Sequence, residues 1–389
     1  MRKILFILSS TSPFGGSTKS AEVILNKFQD DNEYNIGIVL PSKTGVYSEW
    51  INKGWRVYCI KMRHANTPPH QQVKDIILFP IRKIIHWIIN AYAYHLLKKL
   101  ILQESYDIVH TNVGVLDVGY RAAKAIGIPH VYHLREYQDL DFGEPIYPSH
   151  EKFNELLKAR FNYTITITKD IYRYFDCNDN SAEVIYDGII EQRQDIDSNK
   201  DKYFLFVGRL SDSKGTKDVI KAFGAIHNTI PDYRLILAGA PINEIYQKEL
   251  CHLVNELGLN NKVEFLGPIN YCSKLMRKAK CLIMASKSEG LGRVTIEAMA
   301  EGCLVVGYNT MGTKEQFDNG LAICGHEIGL RYNNQEELKV LMQQIAINKI
   351  DKYAETISYA QDVVFSLYTI TSCYEKISNV YNKLLNENK

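Results

Sequence analysis

Ser286–Cys303 reads S-K-S-E-G-L-G-R-V-T-I-E-A-M-A-E-G-C, and the apolar run A-K-C-L-I-M-A, Ala279–Ala285, precedes it. The run predicts a buried strand. After Gly292 the apolar residues fall at helical spacing, at Val294, Ile296, Ala298 and Met299, and Gly302 supplies the stop. A strand therefore ends, a glycine-bearing loop turns, and a helix starts at the loop. Its free N–H groups and the positive end of its dipole make that corner an anion site. Glu289 lies in the loop and Glu297 in the helix. Carboxylates accept hydrogen bonds but cannot donate them, so they suit sugar hydroxyls attached to a phosphate rather than the phosphate itself. The pattern implies a nucleotide-sugar pocket. A glycine corner with two surface glutamates is also ordinary scaffold in a doubly wound domain, so the rest of the chain has to decide.

At 389 residues two domains are expected. A hydrophobic content of 46% and a charged content of 23% are those of a soluble globular protein. The net charge of +2 gives no footprint for a nucleic-acid partner. The eight cysteines contain no C-x-x-C pair, which argues against a disulfide framework or zinc site and for a reducing cytoplasm. Ile4–Leu8 is too short for the apolar region of a signal peptide and is read as the first strand.

From that strand the chain alternates strand and helix, as a parallel sheet with right-handed crossovers requires. Ser12–Ser17 (S-P-F-G-G-S) turns into a helix from about Thr18, without the G-x-G-x-x-G order of a dinucleotide site. Tyr106–His110 and Val131–Glu136 are strands ending in polar residues, among them His110, Asn112, His133 and Arg135. Ligands of open parallel sheets sit at the carboxyl ends of strands, so these residues are candidates. A lone histidine there is more often a satisfied structural one; the two polar strand ends favour a functional reading for His133. Glu191–Lys202 is uniformly polar and reads as a linker, after which alternation restarts at Tyr203. The expected organisation is an N-terminal domain at 1–190, a linker at 191–202 and a C-terminal domain at 203–360. A helix at 361–389 is expected to pack back on the first domain.

Val73–Leu102 is rich in Ile, Leu, Trp and Tyr, with basic pairs at Arg82-Lys83 and Lys98-Lys99. Its longest span free of Lys, Arg, Asp and Glu, Ile84–Leu97, is too short to cross a bilayer. Two readings stand side by side. One is a helix lying on an anionic membrane face with Trp87 at the interface. The other is a core helix with snorkelling lysines.

With Gly208-Arg209-Leu210…Lys214-Gly215 and Glu289-x7-Glu297 both in view, the chain resembles the family 4 retaining glycosyltransferases of GT-B fold. Pro13–Ser17, Asp107–His110, Val184–Ile189, Val263–Gly267 and Gly312–Glu315 also fit, with Asp187 where Asn is more usual and Ala285 where proline is common. The resemblance covers nearly all of the C-terminal domain and only the loops of the N-terminal one. It implies an α/β architecture of two Rossmann-like doubly wound domains facing a central cleft. A nucleoside-diphosphate sugar would be held mostly by the second domain and a glycan or lipid-linked acceptor mostly by the first.

The resemblance also implies roles. Arg209 and Lys214 carry the diphosphate's counter-charge, shared with the amides of Gly290, Leu291 and Gly292. Glu297 accepts both ribose hydroxyls, and Glu289 faces the transferred sugar, which His133 meets from the opposite wall. Backbone from Gly267 through Ile269 to Asn270 contacts the base. Gly16 lies near the phosphate, and Gly15, Ser17, Asn112 and Arg135 lie on the acceptor side. No metal ligand and no cofactor are assigned, positive side chains taking a metal's place. The implied enzyme is a cytoplasmic, metal-independent hexosyltransferase of cell-surface polysaccharide (capsule) or glycolipid synthesis, at the inner face of the membrane. Two other classes were weighed. A non-catalytic subunit stabilising a partner glycosyltransferase has no need of Arg209, Lys214, Glu289 and Glu297 together. A nicotinamide-dependent oxidoreductase lacks its glycine fingerprint here.

Overall fold

The computed structural model describes residues 1–66, 73–143, 145–269 and 272–387. The chain divides into two compact units, Met1–Gly188 with Ile370–Lys389, and Ile189–Thr369.

The first unit is built on seven strands: β1 (Arg2–Leu8), β2 (Tyr34–Leu40), β3 (Arg56–Cys59), β4 (Ile108–Asn112), β5 (His130–Leu134), β6 (Asn162–Thr166) and β7 (Ala182–Val184). They pair in parallel in the order β3-β2-β1-β4-β5-β6-β7. Parallel strands covered on both faces need near-continuous apolar sequence, and β1 supplies it, with Ile4 to Ile7 fully buried. Successive side chains point to opposite faces. Ile4 and Phe6 join the layer of helices Gly16–Asp30 and Ile370–Glu387. Leu5 and Ile7 join the layer of helices Val73–Glu104 and Val118–Ile126.

The second unit has six strands: β8 (Tyr203–Val207), β9 (Arg234–Ala238), β10 (Val263–Gly267), β11 (Cys281–Met284), β12 (Val305–Tyr308) and β13 (Leu330–Tyr332). They too are parallel, in the order β10-β9-β8-β11-β12-β13. The strand order reverses at β1/β4 in the first unit and at β8/β11 in the second. Crevices at such switch points, at the carboxyl ends of the strands, are where open α/β sheets bind ligands.

Three expectations change. Residues 191–202 are not a free linker: they strap onto the second unit. Arg193 Nε donates to Gln361 Oε1 at 2.8 Å, and Lys200 Nζ donates to the carbonyls of Arg277 and Gly302, both at 2.7 Å. Their polar side chains serve to satisfy that unit's backbone and side chains. The last helix starts at Ile370, not at 361, because Gln361, Val363 and Val364 belong to a separate helix, Ala354–Leu367, buried in the second unit. Finally, Val73–Glu104 is one 32-residue helix, long and apolar enough by length and composition to cross a membrane, unlike its charge-free span alone. Its two readings divide along its length. Ala93, Leu97 and Ile101 are core, whereas Ile76 to Tyr92 exposes most of its apolar side chains.

Candidate active site

In the second unit, β8 runs into Gly208 and Arg209. The Gly208 amide donates to Ala238 O and the Leu210 amide to Ala240 O, both at 2.9 Å, which ties this loop to the end of β9. The approach is so close that a Cβ on Gly239 would lie 1.7 Å from the Gly208 carbonyl oxygen. Arg209 stands exposed between these anchors. The loop then closes on itself: the Ser211 amide donates to Thr216 Oγ1 (3.1 Å) and the Lys214 amide to Ser211 Oγ (3.3 Å). Gly215, at φ +73°, presses on Ala285 at the end of β11, where a Cβ would meet the Ala285 carbonyl at 2.2 Å. The loops after β8 and β11 are thereby locked together, with the Lys287 amide on Ser213 O at 2.9 Å. Lys214 Nζ comes to 2.5 Å from Glu289 Oε2, both side chains largely sheltered from solvent.

The glycine loop is held from its carbonyl side. Gln316, on helix Met311–Cys324, donates to the carbonyls of Leu291 and Gly292, and the Gly312 amide donates to Glu289 O at 3.0 Å. The amides of Gly290, Leu291 and Gly292 make no backbone hydrogen bond among the described residues. Gly292, at φ +78°, caps helix Arg293–Ala300, whose middle carries Glu297, with Arg293 at 3.5 Å. One corner thus gathers a cation, a carboxylate, three amides and a helix N-terminus, while Glu297 sits a turn further in. Gly267 (φ +70°) and half-buried Ile269 lie at the end of β10, two strands from β8. Asn270, the remaining base-contact candidate, lies outside the described residues.

In the first unit, Gly15 and Gly16 open helix Gly16–Asp30 after β1, with Ser17 in its first turn. Asn112 ends β4 in register with His133 on β5. Arg135 does not stand ready for an acceptor as expected. It is buried: Nε donates to Asn112 Oδ1 at 2.7 Å, Nη1 pairs with Asp187, and Nη2 reaches His133 Nδ1 at 3.4 Å. Asp187 also accepts from Ser20 Oγ at 2.6 Å. The departure from the usual Asn at 187 thus comes with a buried guanidinium that needs a counter-charge.

Donor and acceptor roles fix the histidine tautomers. A guanidinium can only donate, so His133 Nδ1 accepts and its proton is on Nε2. His110 Nε2, 3.2 Å from His133 Nδ1, is then a donor, and His110 Nδ1 accepts from Tyr381 Oη at 2.7 Å. Burial first, then the nearby Arg135 charge, holds His133 well below the usual imidazole range; burial and the His133 and Arg135 neighbours do the same to His110. Both are neutral. The chain of donors ends at His133 Nε2–H, which with Asn112 Nδ2 is buried without a partner among the described residues. Two orphaned donors on registered residues call for acceptors from a ligand. Nitrogen-15 chemical shifts should therefore report Nε2–H for both His110 and His133. Tyr381→Phe should leave His110 Nδ1 without its donor and cost about 1–3 kcal/mol, while His110 keeps its proton on Nε2 because His133 Nδ1 still accepts from it. An Nδ1–H tautomer at His133 in the unmodified protein would break the chain of donors.

Sequence reading missed Gln316, Ser20, Asp187's ion pair and Tyr381. Gly312 and Gln316, four apart on one helix face, were the visible sign of a helix packed on a loop; nothing local marks the others. The expectation that positive side chains take a metal's place rested on the absence of an Asp-x-Asp motif, but the sequence contains two such triplets, Asp139-Leu140-Asp141 and Asp195-Ile196-Asp197. Asp139 accepts from Tyr174 Oη (2.6 and 2.7 Å), Asp141 from the Tyr137 amide (2.8 Å), and Asp197 pairs with Lys278 (2.8 Å).

Residues 189–363 match the family Glycosyl transferases group 1. Two parallel-sheet Rossmann-like units are the architecture of the GT-B fold, and the second of them carries the glycosyltransferase group 1 match. The fold is shared with HepE of Anabaena, solved with UDP and with UDP-glucose, at a TM-score of 0.73 for the UDP complex, 22% identity and coverage of 98% of this chain and 100% of that one. An uncharacterised glycosyltransferase of Methanocaldococcus jannaschii is 26% identical over 64% of this chain and 70% of its own length. A Campylobacter jejuni N-acetylgalactosaminyltransferase, named for a diphospho-undecaprenol-linked acceptor, is 33% identical over 36% of this chain and 38% of its own.

Proposed function

We propose that the protein is a retaining, metal-independent family 4 glycosyltransferase. It moves a hexose from a nucleoside-diphosphate sugar to a glycan or lipid-linked acceptor of a cell-surface polysaccharide or glycolipid, on the cytoplasmic side. The observation that carries this reading is the β8/β11 corner, where Lys214, Glu289 and the Gly290–Gly292 amides meet beside exposed Arg209. Departure of a diphosphate leaves negative charge, which preorganised amides and cations stabilise. Arg209 supplies a rigid fork of donors and Lys214 a mobile point charge that trades its carboxylate for phosphate when donor binds. Glu289, released from Lys214, then faces a sugar gaining cationic character. Glu297 accepts hydrogen bonds from the ribose hydroxyls, and in the first unit His133 Nε2–H offers a donor to a bound ligand. The UDP and UDP-glucose bound by HepE make uridine the first base to test, and the undecaprenol in the Campylobacter name supports a lipid-linked acceptor.

Thermal shift against UDP, GDP, dTDP and NAD tests the reading. One nucleoside diphosphate at a hundred times its Kd should stabilise the protein by about 2.7 kcal/mol. With the matching donor, turnover should persist in EDTA and the product should keep the donor's anomeric configuration. Stabilisation by NAD alone, or activity lost in EDTA and restored by magnesium or manganese, would overturn the corresponding part.

A further inference from the structure

The helix Val73–Glu104 is polarised the wrong way round for a soluble protein. At about 100° per residue, Ile76, Ile77, Leu78, Ile81, Ile84, Ile85, Trp87, Ile88 and Tyr92 fall within roughly half of its circumference. That half faces solvent, with Ile77 67% and Trp87 70% exposed. The polar residues turn the other way. Asp75 pairs with Arg82 at 2.9 Å, and Lys83 Nζ lies 3.7 Å from the centre of the Tyr147 ring. Asn90 bonds both the amide and the carbonyl of Arg63 at 2.9 Å. Only 6% of the helix's most apolar window is buried. An apolar surface this continuous marks an interaction site rather than scattered exposure.

We infer that this outward face is a bilayer-docking surface that inserts its isoleucines and Trp87 into the headgroup–acyl boundary of an anionic membrane. The charge pattern selects that occupant. The apolar stretch is bracketed on the same face by Lys74 at one end and Lys98 and Lys99 at the other, positions that reach anionic headgroups while the side chains between them enter the acyl region. The only acid between Val73 and Gln103 is Asp75, which is already paired with Arg82. A second copy of this face therefore offers no carboxylate to these lysines, and helix-on-helix association would set cation against cation.

The helix lies in the interface and does not span. From Lys83 to Ile101 its inner side is committed to its own unit, through Tyr147, Arg63 and the buried Ala93, Leu97 and Ile101. Only about ten residues, about 15 Å of helix, precede that docked segment, half of what a hydrocarbon core of about 30 Å requires. The geometry also reassigns the basic pairs: Arg82 and Lys83 serve the inner face, and insertion rests on the apolar residues. This inference stands apart from the catalytic reading, since the face uses none of the candidate site residues.

Flotation of the full chain with phosphatidylcholine vesicles, with and without about a third of phosphatidylglycerol, tests it. The protein should float with the anionic vesicles, and Trp87 fluorescence, read by difference against W87F to remove the signal of buried Trp50 and half-buried Trp55, should shift to the blue on mixing. High salt should weaken binding without abolishing it, since screening acts on the lysines and not on apolar insertion. Removing Lys74, Lys98 or Lys99 singly should weaken it about fivefold. The quadruple variant I77Q/I81Q/I84Q/I88Q, all at exposed positions, should keep its melting temperature and lose vesicle binding by tenfold or more. Unchanged binding in that variant overturns the inference, as does failure of the unmodified protein to bind anionic vesicles. A dimer that this variant abolishes would assign the face to a second copy instead. Nucleoside-diphosphate binding should be the same in all these variants, which separates failure of the docking surface from failure of the enzymatic reading.

Discussion

Glu289→Gln is expected to lower kcat about a hundredfold while nucleoside-diphosphate affinity stays within a few-fold of the unmodified protein. The carboxylate is paired with Lys214 in the absence of donor, at 2.5 Å, and under the proposed mechanism faces a sugar that becomes cationic only as the bond to diphosphate breaks. An interaction that grows towards the transition state registers in kcat, and loss of one preorganised electrostatic group costs on that scale. Glu297→Gln should behave oppositely. Ribose hydroxyls do not change charge during the reaction, so the loss is equal in ground and transition states and raises the donor KM. Hydrogen bonds to a charged group are worth about 1.5–3 kcal/mol, which predicts a loss of ten- to a hundredfold in kcat/KM. Arg209→Ala should lower kcat as Glu289→Gln does and weaken the free nucleoside diphosphate as well. Steady-state kinetics with nucleotide titration separates the three. Were Glu289→Gln to weaken the nucleotide while Glu297→Gln touched only kcat, the two carboxylates would have exchanged roles. No effect from either would make the corner scaffold.

Acid should unfold the first unit well before the second. His110, His130 and His133 are essentially fully buried. Burial is the leading cause that keeps each of them neutral, pushing His130 down to about 3 and the other two well below the ordinary value. Unfolded, each would titrate near 6.5. Below that pH the unfolded unit binds three protons that the folded unit refuses, so stability is full above about pH 6.5 and is lost as pH falls. Three protons at about 1.36 kcal/mol each give a slope of about 4 kcal/mol per pH unit. A domain stability of about 5–15 kcal/mol would then be exhausted within roughly one to four units. The three histidines of the second unit, His227, His252 and His326, are all at least partly exposed. Hydrogen exchange of β1, β4 and β5 amides against β8 and β11 amides between pH 7 and 5 reads the difference. Equal loss of protection in both sheets would show that the buried histidines do not single out the first unit.

What the sequence made legible was whatever is written locally. The continuous apolar runs of β1, β8 and β11 and the glycines at 208, 215 and 292 announce strand, turn and helix start in a single window, and the paired loops with Glu289 and Glu297 followed from them. The three-residue β13 is too short to carry a period, and it went unread. Arg135 was misread for a different reason. A polar residue at a strand end is a candidate for ligand contact only if nothing else neutralises it, and its partner Asp187 lies 52 residues away. The same holds for His133, whose outward nitrogen is set by the guanidinium of Arg135 at its other ring nitrogen. In Val73–Glu104 the composition showed both apolar surface and charge, but which side of the helix each took was settled by Arg63 and Tyr147.

The placement of Ile370–Glu387 has a consequence for how the protein is made. This helix supplies Cys373, Ile377, Val380, Tyr381 and Leu384 to the apolar layer over β1, so the first unit cannot be completed until residues 370–387 have been made. Residues 189–369 meanwhile hold everything their own sheet needs and can fold as soon as they emerge. Throughout that interval Phe6, Phe28 and Tyr34 lack their cover, so the nascent chain presents a sticky aromatic surface for most of its synthesis. A stop shortly after residue 369 would therefore cripple the first unit, whose strands are made long before, and spare the second.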